Sequence, residues 1–322
     1  MMILNYFFTF ILAFSIVILL IPVLKRLAVR IDFVDRPVEG NERKIHREPV
    51  PLTAAIAIFA GFFAAYALFA GKFDGELLAV FAGSLMILGI GTLDDWYKTR
   101  GRELGALPKF IVQILAAVIV YRAGIVFTGF HNPFGNVDVV LPVPLQFILT
   151  VMWIFGVTTV INFSDGMDGL AGGLSTISAM TLFVVAIAKG QTAPAVMAIA
   201  LVGTGIGYLR FNKPPARIYM GDAGATFMGF ILAIIALDGA FKQATVLSIF
   251  IPILAMGVPI FDNLFVVFKR FLQGKPVFKA DATQAHYRLL ARGLTQKQVV
   301  VFLCLVNLCF CLTSIILLLL KI

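Results

Sequence analysis

Five aspartates, Asp94, Asp95, Asp165, Asp168 and Asp222, each stand where a long apolar run meets a polar connection. A carboxylate at such a boundary is costly to strip of water, so several together point to a site that uses them. For any one of them, a solvated helix end or an N-cap is the plainer reading. Five in Gly- and Asn-rich segments favour a shared function. Asp94 and Asp95 are adjacent in Leu93-Asp94-Asp95-Trp96-Tyr97-Lys98. Neighbouring carboxylates repel unless a cation neutralises them, so this pair can bind a cation or receive a proton.

The segment from Asn162 to Gly173 is more specific. Asn162, Asp165 and Asp168 recur every three residues, which places them on one side of a turn or helix start, and the interleaved glycines let a ligand approach the backbone. Asp165 or Asp168 could also be only the cap of the helix that follows. The stretch Phe211 to Ala225 pairs a stiff Pro214-Pro215 with Lys213 and Arg217, then puts Asp222 among small residues at the start of the next apolar run. A hard cation such as Mg²⁺ takes oxygen from one or two carboxylates plus substrate phosphates, which a boundary aspartate amid basic residues supplies. The polar stretch Lys269 to Lys297 holds Asp281, Gln284, His286, Tyr287, Arg288 and Arg292 and reads equally as a solvated basic loop or a phosphate-contacting lid. Lys44 and His46, in Arg43-Lys44-Ile45-His46-Arg47, carry the same two readings.

The elements that must position these groups are membrane helices. Of 322 residues 60% are hydrophobic and 13% charged, with a mean hydropathy of +0.98. Apolar runs recur near 3–24, 51–71, 76–93, 107–126, 142–161, 167–188, 191–209, 222–238, 242–268 and 297–320, each near the roughly 20 residues a crossing helix needs. The expected fold is an all-α polytopic membrane protein of about ten transmembrane helices, a single integral membrane domain over 1–322. The first run lacks a basic leader and precedes a basic loop, so it reads as a spanning helix. Cys304, Cys309 and Cys311 all sit in the last run, without disulfide or zinc spacing.

Of the 26 Lys and Arg, 21 fall on one alternate set of connections and five on the other. That asymmetry puts the first set, and the aspartates with it, in the cytoplasm, and both termini outside. It also explains the net charge of +9 without nucleic acid. On the outer side, Asn132-Pro133-Phe134-Gly135-Asn136 followed by β-branched residues predicts a short β-hairpin.

Together these segments resemble the polyprenyl-phosphate N-acetylhexosamine-1-phosphate transferases, which include the phospho-MurNAc-pentapeptide translocase and the WecA/TagO-type GlcNAc-1-phosphate transferases. The resemblance covers nearly the whole chain: Asp35-Arg36-Pro37 to Pro51, Leu93 to Lys98, Lys109 with Gln113, Asn162 to Gly173, Phe211 to Gly224, and Arg288 to Gln298. It implies ten helices in the plasma (inner) membrane, a cytoplasmic site, Mg²⁺ (with Mn²⁺ as a substitute), a UDP-sugar donor and a polyprenyl phosphate acceptor. A homodimer is left open. By the same resemblance Asp94 and Asp95 are the catalytic centre, Asp222 is a metal ligand with the pair beside it, and Asn162, Asp165, Asp168, Asn212 and Tyr219 line the donor site, the tyrosine against uracil. Lys109 neighbours a phosphate, and Arg217, His286, Arg288, His46 and Lys44 complete the expected substrate contacts. Phe261-Asp262-Asn263-Leu264 and the Arg288 to Leu294 stretch resemble the WecA/TagO branch, which makes UDP-GlcNAc the leading donor. Two departures are Gln284-Ala285-His286-Tyr287, which keeps one histidine of the family's cluster, and Pro51-Leu52-Thr53-Ala54-Ala55, which loses an arginine.

The expected reaction has Asp94 or Asp95 take a proton from, or orient, undecaprenyl phosphate, which attacks the β-phosphorus and releases UMP to start lipid-linked envelope glycan synthesis. Covalent attack by an aspartate is the alternative within the family, and UDP-MurNAc-pentapeptide or another UDP-amino sugar the alternative donor. A transporter would need charges or broken helices near the bilayer midplane, and only Asp262 lies inside a run, about 10 Å from its boundary. A CDP-alcohol phosphotransferase would need an acidic spacing absent after Asp165-Gly166.

Overall fold

The computed structural model describes residues 2–37, 48–71, 73–132, 137–241, 249–274 and 283–320. Helix α1 (Met2–Arg30) leads into a two-residue antiparallel pair, β1 (Val34–Asp35) with β2 (Val50–Pro51), then α2 (Ala54–Phe69), α3 (Gly75–Thr99) and α4 (Ala106–Arg122). A second pair, β3 (Gly129–Asn132) with β4 (Val137–Val140), precedes α5 (Val143–Phe163), α6 (Leu170–Ala188), α7 (Thr192–Asn212) and α8 (Gly221–Ile235). After α8 the chain continues through a π-helical turn, Ala236–Phe241, and later forms α9 (Phe250–Ala255), α10 (Gly257–Leu272), the short α11 (Ala285–Ala291) and α12 (Gln296–Leu319).

Among the described residues seven helices are long and apolar enough to cross a membrane: α1, α3, α5, α6, α7, α12, and α8 with its π turn. The chain is a multi-pass helical membrane protein. Eight of the ten apolar runs coincide with single helices and the eighth run in order is α8 with its π turn; α2 and α4 are shorter, with 16 and 17 residues. The ninth run departs from expectation. Its described residues form two helices, α9 and α10, that break at Met256, between Pro252 and Pro259. Side chains of α12 supply the partners that a broken membrane helix needs: Asn307 accepts from the Val258 N–H (3.1 Å), and Ser314 donates to the Ile251 carbonyl (2.9 Å).

Helix α8 is the axis of the bundle. Every residue from Ala223 to Ile235 is buried, and the helix packs on α3 and α5. Apolar side chains gain nothing by leaving lipid for each other, so close approach must come from small residues. Gly91 on α3 supplies it: a Cβ there would collide with the Ala223 backbone. The two helices therefore meet one turn before Asp94 and Asp95. That contact sets the acidic ends of α3 and α8 side by side.

Candidate active site

The end of α3 folds its charges onto two faces. Asp94 and Lys98 are four residues apart, hence neighbours on the helix, and form an ion pair of 2.9 Å. Asp95 points the other way, toward α8. Its Oδ1 accepts from the Asp222 N–H (3.0 Å) and its Oδ2 from the Ala223 N–H (3.2 Å), so one carboxylate from α3 caps the start of α8. Gly221 makes room for this cap. It has φ of +62°, and a Cβ on it would strike the Asp95 carboxylate.

The cap delivers Asp222 to Asp94. Lys109, from the first turn of α4, reaches Asp94 Oδ2 at 2.9 Å and Asp222 Oδ2 at 3.4 Å. Lys98 reaches the same two oxygens at 2.9 and 2.8 Å. Two carboxylates and two ammonium groups thus form one cluster, and the remaining Asp94 oxygen accepts from the Leu104 N–H (3.1 Å). Asp94 is fully buried, whereas Asp222 and Lys109 are 24% and 22% exposed, so the cluster opens on the Asp222 side.

Among the described residues no three His, Cys, Asp or Glu side chains form a ready metal cage. The donor set nevertheless fits Mg²⁺, which asks for only one or two carboxylates and completes its shell with water and substrate phosphate. Two hard oxygens, one each from Asp94 and Asp222, already face positive charge at a common point.

A second layer joins the α5–α6 connection to the loop before α8. Asp168 Oδ2 accepts from the Ala216 N–H (2.9 Å), and its Oδ1 from the Tyr219 hydroxyl (3.1 Å). Asn212 accepts from the Gly169 N–H (2.8 Å) and donates to the Ile218 carbonyl (2.9 Å). Burial and the neighbouring Asp168 push the Tyr219 phenol up, so it stays a donor. The alternative that Asp165 or Asp168 is only the cap of α6 does not hold. Gly169 is the cap residue and no side chain serves it, because both Asp168 oxygens face the loop instead. Asn162 lends its carbonyl to the Asp165 N–H at 3.1 Å.

Asp165 lies within electrostatic reach of Asp222, Asp168 and Lys98. Burial first, then the two carboxylates, push it from the ordinary 3.8 up to about 7, against the pull of Lys98. The folded chain therefore holds an extra proton between about pH 4 and 7, and stability falls as pH rises through that window. Asp165→Asn should remove this loss. In thermal melts of metal-free protein, the variant's advantage should be nil near pH 4, grow with pH and level off above 7; parallel curves would refute it.

A third layer is α11. Asp262 accepts from the Ala285 N–H with both oxygens (2.9 Å each) and pairs with Arg288 at 3.0 Å. Gln284 donates to the Phe163 carbonyl (3.1 Å), and the buried His286 ring lies against Gly166. Asp262 thus clamps α11 to α10, while Gln284 and His286 seat it against the end of α5 and the α5–α6 connection. Arg217 stands apart from the lysine cluster and lines a groove along α1. Lys44 and His46 lie outside the described residues.

Sequence reading named Lys98 only as the last residue of its motif and gave it no role in the site. Its four-residue spacing from Asp94 was the available signal. The capping role of Asp95 had no local signal, because its partners are 127 and 128 positions away.

Buried carboxylates neutralised by lysines at the helix ends of a multi-pass bundle define a membrane protein with a concentrated charged site where its helices end. Comparison with known proteins narrows the class. Residues 77–240 match the model of glycosyl transferase family 4. The chain is 34% identical over 308 residues to a probable undecaprenyl-phosphate N-acetylglucosaminyl 1-phosphate transferase of Bacillus subtilis (strain 168), covering 96% of this chain and 84% of the relative. It is 31% identical to the decaprenyl-phosphate N-acetylglucosaminephosphotransferase of Mycobacterium leprae (strain TN), covering 86% and 75%. A phospho-N-acetylmuramoyl-pentapeptide-transferase of Symbiobacterium thermophilum is 35% identical over a shorter stretch, 65% of this chain and 64% of the relative. The chain belongs to glycosyl transferase family 4.

Proposed function

We propose that the chain transfers GlcNAc-1-phosphate from UDP-GlcNAc to undecaprenyl phosphate on the cytoplasmic face of the membrane, releasing UMP. The observation that carries this reading is the meeting of Asp94 and Asp222, from different helices, on the same two ammonium groups. Lys98 and Lys109 turn from these carboxylates to the phosphates of donor and acceptor and neutralise charge that spreads over their oxygens. Asp94 orients the acceptor phosphate through those lysines. An acceptor oxygen then attacks the β-phosphorus. The bond from that phosphorus to the bridging oxygen breaks, and its electron pair leaves with UMP.

Asp222 and Asp94 would hold Mg²⁺, which when bound supplies further charge neutralisation at the pyrophosphate. Asp95 keeps the two helix ends in register by capping α8. Asp168 and Tyr219, already bonded to each other, shape the wall for the nucleotide, and α11 with His286 and Arg288 closes the far side.

The test is a turnover assay on purified full-length protein with undecaprenyl phosphate, Mg²⁺ and a panel of UDP-sugars. UMP should appear with UDP-GlcNAc, stop on chelation and return with Mg²⁺ or Mn²⁺. Release from UDP-MurNAc-pentapeptide alone would overturn the donor, and no release from any donor would overturn the reaction.

A further inference from the structure

A cavity of about 520 Å³ lies between the last turns of α1 and the loop that leads to α8, away from the aspartate–lysine cluster. Its α1 wall is made of Ile21, Pro22, Lys25, Arg26, Val29 and Arg30, and Phe211 and Arg217 form the facing wall. The α1 residues come in pairs one helical turn apart, so they are a single stripe rather than a scatter. Polarity changes along the stripe. Ile21 and Pro22 lie on the membrane side, and Lys25, Arg26 and Arg30 follow toward the helix end. The adjoining face of α1 exposes Val23 and Leu27, as a surface turned to lipid does. Among the described residues none of Lys25, Arg26, Arg30 or Arg217 is paired with a carboxylate.

An apolar end, a cationic end and an opening toward lipid match a molecule with a hydrocarbon tail and an anionic head. We propose that this groove binds the headgroup of an anionic bilayer phospholipid, its phosphate among Lys25, Arg26, Arg30 and Arg217 and its upper chain along Ile21, Pro22 and Phe211. Basic pockets between helices at the cytoplasmic membrane surface are suited to such headgroups. The site bears on the reaction through a short path. Arg217 is held by its N–H to the Phe211 carbonyl (2.8 Å), and two residues on, Tyr219 bonds to Asp168. A lipid drawn onto Arg217 steadies the loop that forms one wall of the donor site, so phosphatidylglycerol lowers the KM for the nucleotide sugar.

The test is native mass spectrometry of the full chain released from nanodiscs that hold phosphatidylglycerol and phosphatidylcholine in equal amounts. Wild type should retain phosphatidylglycerol in preference. Each cation near an anionic headgroup contributes about fivefold, so Arg26→Gln with Arg30→Gln should weaken retention by about 25-fold, and Arg26→Lys with Arg30→Lys should keep it. Retention is read without turnover, so it stands apart from the assay of the reaction. Equal retention of both lipids by wild type would overturn the proposal, as would unchanged phosphatidylglycerol on the glutamine variant. Displacement by equimolar undecaprenyl phosphate would overturn it too, by making the groove part of the acceptor site.

Discussion

Asp222→Asn should lower Mg²⁺-dependent UMP release by roughly a thousandfold or more, while the protein still folds and inserts. The amide keeps the volume of the carboxylate and leaves the Asp222 backbone N–H free to bond Asp95. It removes one of the two anionic oxygens that face Lys98 and Lys109, and with it the more accessible arm of the cation site. The fully buried Asp94 should be as sensitive, because Asp94→Asn strips both lysines of their inner partner. Residues that act as a unit do not lose activity additively. The double variant should therefore be little worse than either single one. Activity near wild type in Asp222→Asn, or clean additivity in the double variant, would remove the basis for a shared cation site. Thermal melts on the same samples separate loss of function from loss of fold.

Gly221→Ala should be the most damaging conservative change to the fold around the site. The added Cβ meets the Asp95 carboxylate head-on, and α8 then starts from a residue whose φ of +62° disfavours any side chain. Strain and the loss of two charge-assisted hydrogen bonds together amount to about 3–5 kcal/mol. The loss should appear as a lower melting temperature and as disappearance of turnover even at saturating Mg²⁺. Asp95→Asn, which keeps an acceptor oxygen, should be milder in the melt. A Gly221→Ala protein that melts like wild type would show that α8 does not depend on this approach.

Part of this arrangement is legible in the sequence. Asp94, Asp165 and Asp222 stood at ends of apolar runs, where a charge has no cheap reason to be, and all three do gather. Lys109 was named from resemblance and bridges two of them. Other assignments could not be local. Position alone left Asp168 open as a site residue or a helix cap, and its oxygens serve a loop 48 residues downstream. Asp262 looked like an isolated charge in a span and proves to be the anchor of α11. The break at Met256 was announced by Pro252, Gly257 and Pro259, but the continuous apolar run hid it, since hydropathy averages over the bonds a proline removes.

The division follows from the range of the forces. Hydropathy, helical spacing and charge placement act over one or two turns, so the chain's own order determined a helical membrane protein with its acids at helix ends, and set Lys98 beside Asp94. Which ends meet depends on how closely helices far apart in sequence can approach. In lipid that is decided by contacts such as Gly91 on Ala223 and by caps such as Asp95 on α8. Only the packed bundle could decide that Asp94 and Asp222 share their lysines, and that Arg217 turns away from them toward α1.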